Sequence, residues 1–213
     1  MIPCQEAVEA LGRLKEGNRR FVDDNVANQA PISHARRSEL VNGQAPFAII
    51  LGCSDSRVPA EIIFDQGLGD LFVIRIAGNI VAPSQIGSVE FAAERFGTPL
   101  VVVLGHSSCG AITATLEEMR APGSSQSRHV HSIVERVRPS VEALLATDLK
   151  NDHDALVHHA VRANVRASAN QLRHGSDMLE QRIQQGRLLV VGAEYSLETG
   201  IVEFFDGMPA MSA

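Results

Sequence analysis

Two short stretches carry the side chains best suited to hold a metal ion. One is Ala48-Ile-Ile-Leu-Gly-Cys53-Ser-Asp-Ser-Arg57; the other is Leu100-Val-Val-Val-Leu-Gly-His-Ser-Ser-Cys109-Gly-Ala. Each runs apolar, turns at a glycine, and then offers a thiol or an imidazole. Cysteine and neutral histidine are good zinc ligands, and His-x-x-Cys spacing lets one turn supply two of them. A third ligand far away in sequence is the habit of catalytic zinc sites, which keep a fourth position for water. Two thiolates and one imidazole around a divalent ion sum to roughly zero charge. Zinc draws the pKa of its water from ~15.7 toward ~7. Thiolates donate more charge than imidazoles, so the expected activity favours alkaline pH. The protons leaving Cys53 and Cys109 make metal affinity fall in acid.

Asp55 follows Cys53 by two residues, and Arg57 follows Asp55 by two. A carboxylate there has two possible partners, the metal or the guanidinium. On the metal, it blocks water. On Arg57, in a bidentate pair, it leaves the position open and can orient hydroxide. Spacing alone allows either such a gate or a plain salt bridge. The other candidates read as background. Cys4 is a bland N-terminal residue. His129, His131, His153, His158, His159 and His174 read as solvent-facing or structural. Gly67 and Gly69 lack the following Lys of a phosphate loop.

The elements that must position these groups follow from periodicity. Val8, Leu11, Leu14, Asn18, Phe21 and Val22 make residues 4–24 an amphipathic helix, whose apolar face can pack either on the main body or on a second subunit. A short polar helix is expected at 34–41, a strand at 46–51, a helical segment at 59–64 and a strand at 71–76. Then come a helix at 83–96 ended by Gly97, a strand at 100–104 and a helix at 110–119. Residues 121–127 read as a surface loop. Val130, Ile133, Val137, Val141 and Leu145 mark a helix with a possible kink at Pro139. Val157, Val161, Val165 and Leu172 mark another. Strands at 188–191 and 200–205, joined by the short turn Leu197-Glu-Thr-Gly200, are expected to be antiparallel neighbours. The fold class is therefore α/β: a mostly parallel sheet with an antiparallel edge strand, covered by helices, with an N-terminal helical arm. In such sheets ligands sit beyond the carboxyl ends of the strands, which is where Cys53 and His106 fall.

Composition narrows the function. The 213 residues carry a net charge of −6, one Tyr and no Trp, which argues against nucleic-acid or anionic-membrane surfaces. The longest apolar runs, about six residues, are far short of a membrane span. The start of the chain lacks a signal-peptide pattern. Three cysteines suit a reducing cytoplasm better than a disulfide framework.

With these residues placed, the sequence resembles the β-class carbonic anhydrases. Cys53-Ser-Asp-Ser-Arg-Val-Pro is similar to the family's first metal motif, and Gly105-His-Ser-Ser-Cys-Gly-Ala to its second. Phe64 to Asn79 follows the segment that usually links them. The resemblance implies one domain over 1–213: a helical arm at 1–42, a metal-site core at 43–120, and covering helices with the final strand pair at 121–213. It implies one Zn2+ per chain held by Cys53, His106 and Cys109, with Asp55 and Arg57 as the gating dyad. Gln66 and the backbone near Gly110 would bind substrate. The reaction would be reversible hydration of CO2 to bicarbonate and a proton by zinc-bound hydroxide. The chain would pair as a homodimer or homotetramer, giving Val8, Leu11 and Phe21 a partner. Some members carry an inhibitory bicarbonate site built around a Trp, an Arg and a Tyr. Arg75 and Tyr195 match two of these, but the Trp position is Ile50, so that site is expected to be absent or weakened. The same scaffold acting on carbonyl sulfide or carbon disulfide, a zinc-binding sensor, and a Cys53-nucleophile enzyme are the competing readings.

Overall fold

The computed structural model describes residues 3–26, 33–121 and 127–209. Five strands form one sheet in the order β2-β1-β3-β4-β5. They are β1 (Ala48–Gly52), β2 (Leu71–Arg75), β3 (Leu100–His106), β4 (Leu189–Tyr195) and β5 (Val202–Asp206). β1 pairs parallel with β2 and β3, and β3 pairs parallel with β4; only the edge strand β5 is antiparallel. β1 and β3 are buried along their whole length, as expected of central strands covered on both faces.

Eight α-helices accompany the sheet among the described residues: α1 (Gln5–Val22), α2 (His34–Glu39), α3 (Ala60–Ile63), α4 (Pro83–Arg95), α5 (Gly110–Arg120), α6 (Arg128–Val141), α7 (His153–His174) and α8 (Asp177–Gln184). The strand alternation sorts them into layers. Ala48, Ile50, Leu100, Val102, Leu104, Val191 and Ala193 point to the face covered by α1 and α3. Ile49, Leu51, Val101, Val103 and Val190 point to the face covered by α4, α7 and α8. A third cluster joins Cys53 and Cys109 to apolar residues of α5, α6 and α7, so the metal-type side chains are backed by a packed wall. None of the described helices is long and apolar enough to cross a membrane.

Helix α1 takes one of the two arrangements its pattern allows, packing its apolar face on the body of its own chain. Leu11 is only 3% exposed, buried against its own chain, and Phe21 packs on the same cluster; Val8 alone of the three stays open, at 45%. The buried face runs through Ala7, Ala10, Leu11, Leu14, Gly17 and Asn18. The helix presses so close that a Cβ on Gly17 would overlap the Phe64 carbonyl. Small residues permit that approach. Asn18 is buried but fully used: its amide donates to the Ile63 and Gly200 carbonyls, and its oxygen accepts from Val202 N–H at 2.8 Å. It pins the arm to α3 and β5.

Three further boundaries shift. Gly105 lies within β3 and is not a turn; a Cβ there would meet Val165 Cγ2 at 2.6 Å, so the glycine lets α7 approach the strand. The turn comes later, at Ser108, whose φ is +55°. β4 extends to Tyr195, and the helix through Pro139 ends at Val141, leaving Leu145 in a 3-10 segment. Of the expected loop at 121–127, residues 122–126 lie outside the described residues.

Candidate metal centre

β1 and β3 are parallel neighbours, with Gly52 opposite Leu104. Their carboxyl ends therefore deliver Cys53 and His106 side by side. The Ser107–Ser108 turn then brings Cys109 back as the N-cap of α5. The two sulfurs and an imidazole nitrogen lie within 4.8 Å of one another, and all three residues are buried.

His106 is fully buried, and its Nδ1 lies 2.9 Å from the Ser107 carbonyl. A carbonyl only accepts, so the hydrogen-bond network assigns the proton to Nδ1 and leaves the lone pair on Nε2. That Nε2 is buried without a hydrogen-bond partner. An orphaned imidazole lone pair facing two thiols fits a zinc ion, as does the donor set itself. Contact with Cys109 and with the Gly78 N–H draws the Cys53 thiol down against the effect of burial. The Cys53 contact, together with burial, pushes Cys109 up.

Asp55 faces this cluster while gripped by Arg57. Its Oδ1 accepts from the Arg57 backbone N–H at 3.0 Å and from Nε at 2.9 Å; its Oδ2 accepts from Nη2 at 2.8 Å. Those bonds hold the Asp55 carboxyl well below the usual carboxylate range. Oδ2 is 4.0 Å from His106 Nε2, so the carboxylate borders the space between the three donors.

Four residues that sequence reasoning did not assign to this framework hold the loops in place. Arg75, at the end of β2, donates from Nε to the Cys53 carbonyl at 3.1 Å and from Nη2 to the Asp55 carbonyl at 2.6 Å. The guanidinium read as an anion subsite is thus spent on clamping the Cys53–Asp55 turn. Gly78 N–H lies 3.4 Å from Cys53 Sγ, and its φ of +70° suits glycine. Asn164 on α7 donates to the Gly78 carbonyl at 2.8 Å across 86 residues of sequence. Ser107 Oγ accepts from Leu197 N–H, tying the ligand turn to the end of β4. The Ala-Gly-Asn run at 77–79 was a sequence signal for a special turn; Asn164 gave none.

The two expected substrate residues lie differently. Gly110 opens α5, where helix N–H groups lack intrahelical partners, and a Cβ there would meet nothing within 4 Å. Gln66 is buried beside α1, with its amide donating to its own chain's Phe64 carbonyl at 2.7 Å and its Oε1 unpartnered. Tyr195 packs near Phe21 on the α1 face, ring centroids 6.5 Å apart.

A parallel-sheet α/β enzyme with a Cys–His–Cys cluster at adjacent strand ends is the class that this fold and site define. The family model described as carbonic anhydrase matches residues 48–202, from the start of β1 to the start of β5, a range that contains Cys53, Asp55, Arg57, His106 and Cys109. The chain is 42% identical over 199 residues to carbonic anhydrase 2 of Mycobacterium tuberculosis, covering 93% of each protein. Its fold matches that of the β-carbonic anhydrase CcaA with a TM-score of 0.75 at 27% identity, covering 92% of this chain and 95% of that one. A tetrameric β-carbonic anhydrase of Sordaria macrospora shares the fold at a TM-score of 0.71 and 22% identity, over 92% and 97% of the two chains. The chain belongs to the β-class carbonic anhydrases.

Proposed function

We propose that the protein catalyses reversible hydration of CO2 to bicarbonate, with one zinc ion held by Cys53, His106 and Cys109. The observation carrying this reading is the partnerless Nε2 of His106, buried within 4.8 Å of both sulfurs. Zinc in that position would supply a Lewis acid able to bring the pKa of water toward ~7. The chain's own groups do the rest. Asp55, immobilised by Arg57, accepts a hydrogen bond from the attacking hydroxide and aims its lone pair at carbon. Arg57, holding both Asp55 oxygens, would keep the carboxylate from taking the fourth position on a bound ion, and the pair would then work as the gate. Arg75 holds the carbonyls on either side of Ser54 and so fixes where that carboxylate stands. The N–H groups at the start of α5 face developing negative charge on substrate oxygen, and Gly110 leaves room for it.

The same arrangement supports placing the protein in the subgroup without the inhibitory bicarbonate site. Ile50 occupies the Trp position inside β1, and the Arg75 guanidinium already serves two backbone carbonyls. Self-association is part of the proposal. Phe91, 54% exposed, lies against Phe72 on the edge strand β2, with ring centroids 6.3 Å apart. We place the homodimer or homotetramer contact on this surface and not on the buried face of α1. The three unpaired cysteines suit a cytoplasmic location.

The test is metal content together with stopped-flow CO2 hydration from about pH 7 to 9, on wild type and Cys109→Ser. One zinc per chain and alkaline-favoured activity are expected for the wild type, and both are lost in Cys109→Ser while its circular dichroism is retained. Full hydration by zinc-free protein refutes the mechanism.

A further inference from the structure

Asn164 reaches the framework of the cluster across 86 residues of sequence. It sits midway along α7 at 2% exposure, within a buried face that includes Val157, Val161 and Val165. A buried amide is costly on an apolar face unless it is hydrogen-bonded. Its Nδ2 donates to the Gly78 carbonyl at 2.8 Å. Gly78 has φ +70° and ψ +18°, and its N–H lies 3.4 Å from Cys53 Sγ. One residue thus receives a bond from α7 on its carbonyl and offers its amide to a metal-type sulfur. The residues just before it grip the end of β1 at two more points. Ile76 N–H donates to the Gly52 carbonyl at 3.1 Å, and Arg75 Nε to the Cys53 carbonyl at 3.1 Å. Those two bonds hold the Cys53 backbone, whereas the Gly78 N–H addresses its sulfur.

We propose that Asn164 is a positioning residue for the metal centre: by fixing Gly78 it keeps an N–H donor on Cys53 Sγ, and so sets how tightly zinc is held and how much charge that sulfur gives it. The inference rests on the zinc reading above and adds to it a residue of α7 that touches none of the three ligands' side chains. Glycine in the left-handed region is free to leave it, because it has no Cβ to confine it. Gly78 therefore needs a hold from outside its own turn. α5 closes one side, since a Cβ on Gly78 would meet Ala111 Cβ at 3.0 Å. Asn164 supplies the directional hold. A metal takes the thiolate, and an N–H aimed at that sulfur stabilises its negative charge. It also draws electron density away from the sulfur, which is how outer partners tune a ligand.

The test reads the metal and not the turnover. Zinc dissociation constants are measured by competition with a chromophoric chelator on wild type, Asn164→Leu and Leu172→Ala. The sulfur-to-metal charge-transfer band is recorded on the same proteins loaded with Co2+. Asn164→Leu keeps the branched shape and removes the donor; Asn164→Ala is the second variant where leucine overpacks. Leu172→Ala opens a cavity on the same helix, in the cluster away from the cysteines, and controls for lost stability. Asn164→Leu should raise the zinc dissociation constant about 10–100-fold and move the Co2+ band to longer wavelength, because the sulfur donates more charge without its N–H. Leu172→Ala should lower the urea midpoint and leave both readings as in wild type. A dissociation constant within about threefold of wild type in both Asn164 variants overturns the proposal. So does weaker binding with an unmoved band, or equal weakening in Leu172→Ala. Wild type that takes up no zinc removes the zinc reading and this inference together, an outcome distinct from the other three.

Discussion

Replacing Asp55 by Asn separates orientation from metal binding. The side chain keeps its size, so the change can be followed bond by bond. An Asn oxygen at the Oδ1 position still accepts from Arg57 N–H and Nε, at 3.0 and 2.9 Å. The amide nitrogen then faces Arg57 Nη2, where the carboxylate had accepted at 2.8 Å, and donor meets donor. Flipping the amide is worse, because it opposes two donors and keeps one bond. One of three bonds is lost, and the other two fall from charge-assisted strength, ~1.5–3 kcal/mol, to that of neutral pairs, ~0.5–1.5 kcal/mol. Arg57 is half exposed, so screening reduces the cost to the fold to about 1 kcal/mol. The rate should suffer more. A misaligned attacking group loses on the order of 10²-fold, or ~2.7 kcal/mol at 1.36 kcal/mol per decade. The amide also presents N–H toward His106 Nε2 in place of an acceptor. Asp55→Asn should therefore keep one zinc per chain and a near-native urea midpoint, yet lose about a hundredfold in kcat for CO2 hydration at alkaline pH. Arg57→Ala is the companion: it frees the carboxylate, and activity should recover in part as rising hydroxide competes for the metal. Zinc-loaded Asp55→Asn with kcat within about threefold of wild type would sink the orienting role.

Two further outcomes follow from the framework around the site. Gly105→Ala sets a methyl 2.6 Å from Val165 Cγ2 and 3.2 Å from Val161 Cγ1; overpacking should cost about 1–3 kcal/mol in urea denaturation, with Val165→Ala restoring part of it, and an unchanged midpoint would show that α7 yields freely. The Asp55 carboxyl is held below its unfolded value of ~3.9 by Arg57, so its contribution is complete above that value and is lost as pH falls through it toward the depressed folded value. The stability difference between wild type and Asp55→Asn should shrink from pH 5 to pH 3, measured by urea midpoint; a difference that grows on acidification contradicts the pairing.

What the sequence discloses here is set by the range of each interaction. Cys53, His106 and Cys109 are legible because each sits at or just beyond the end of an apolar strand, and parallel topology alone makes those ends converge. Asp55 and Arg57 are legible because their partners are two residues away. Arg75 was visible as a cation but not as a clamp, since its acceptors, the Cys53 and Asp55 carbonyls, exist as targets only once β1 and β2 are paired in register. Asn164 was invisible for the same reason at longer range: its target, Gly78, is 86 residues away. Side-chain size misled most. Gly105 suggested a turn, and Val8 an apolar stripe to be covered by a partner, because side-chain size stands for burial in a sequence. In the structure, closeness of approach decides. Gly17 lets α1 reach the Phe64 carbonyl, and Gly105 lets α7 reach β3. Those two approaches position the arm and the wall behind the site. The metal-type residues are thus announced by their chemistry, whereas the precision with which they are held comes from small residues that carry no chemistry at all.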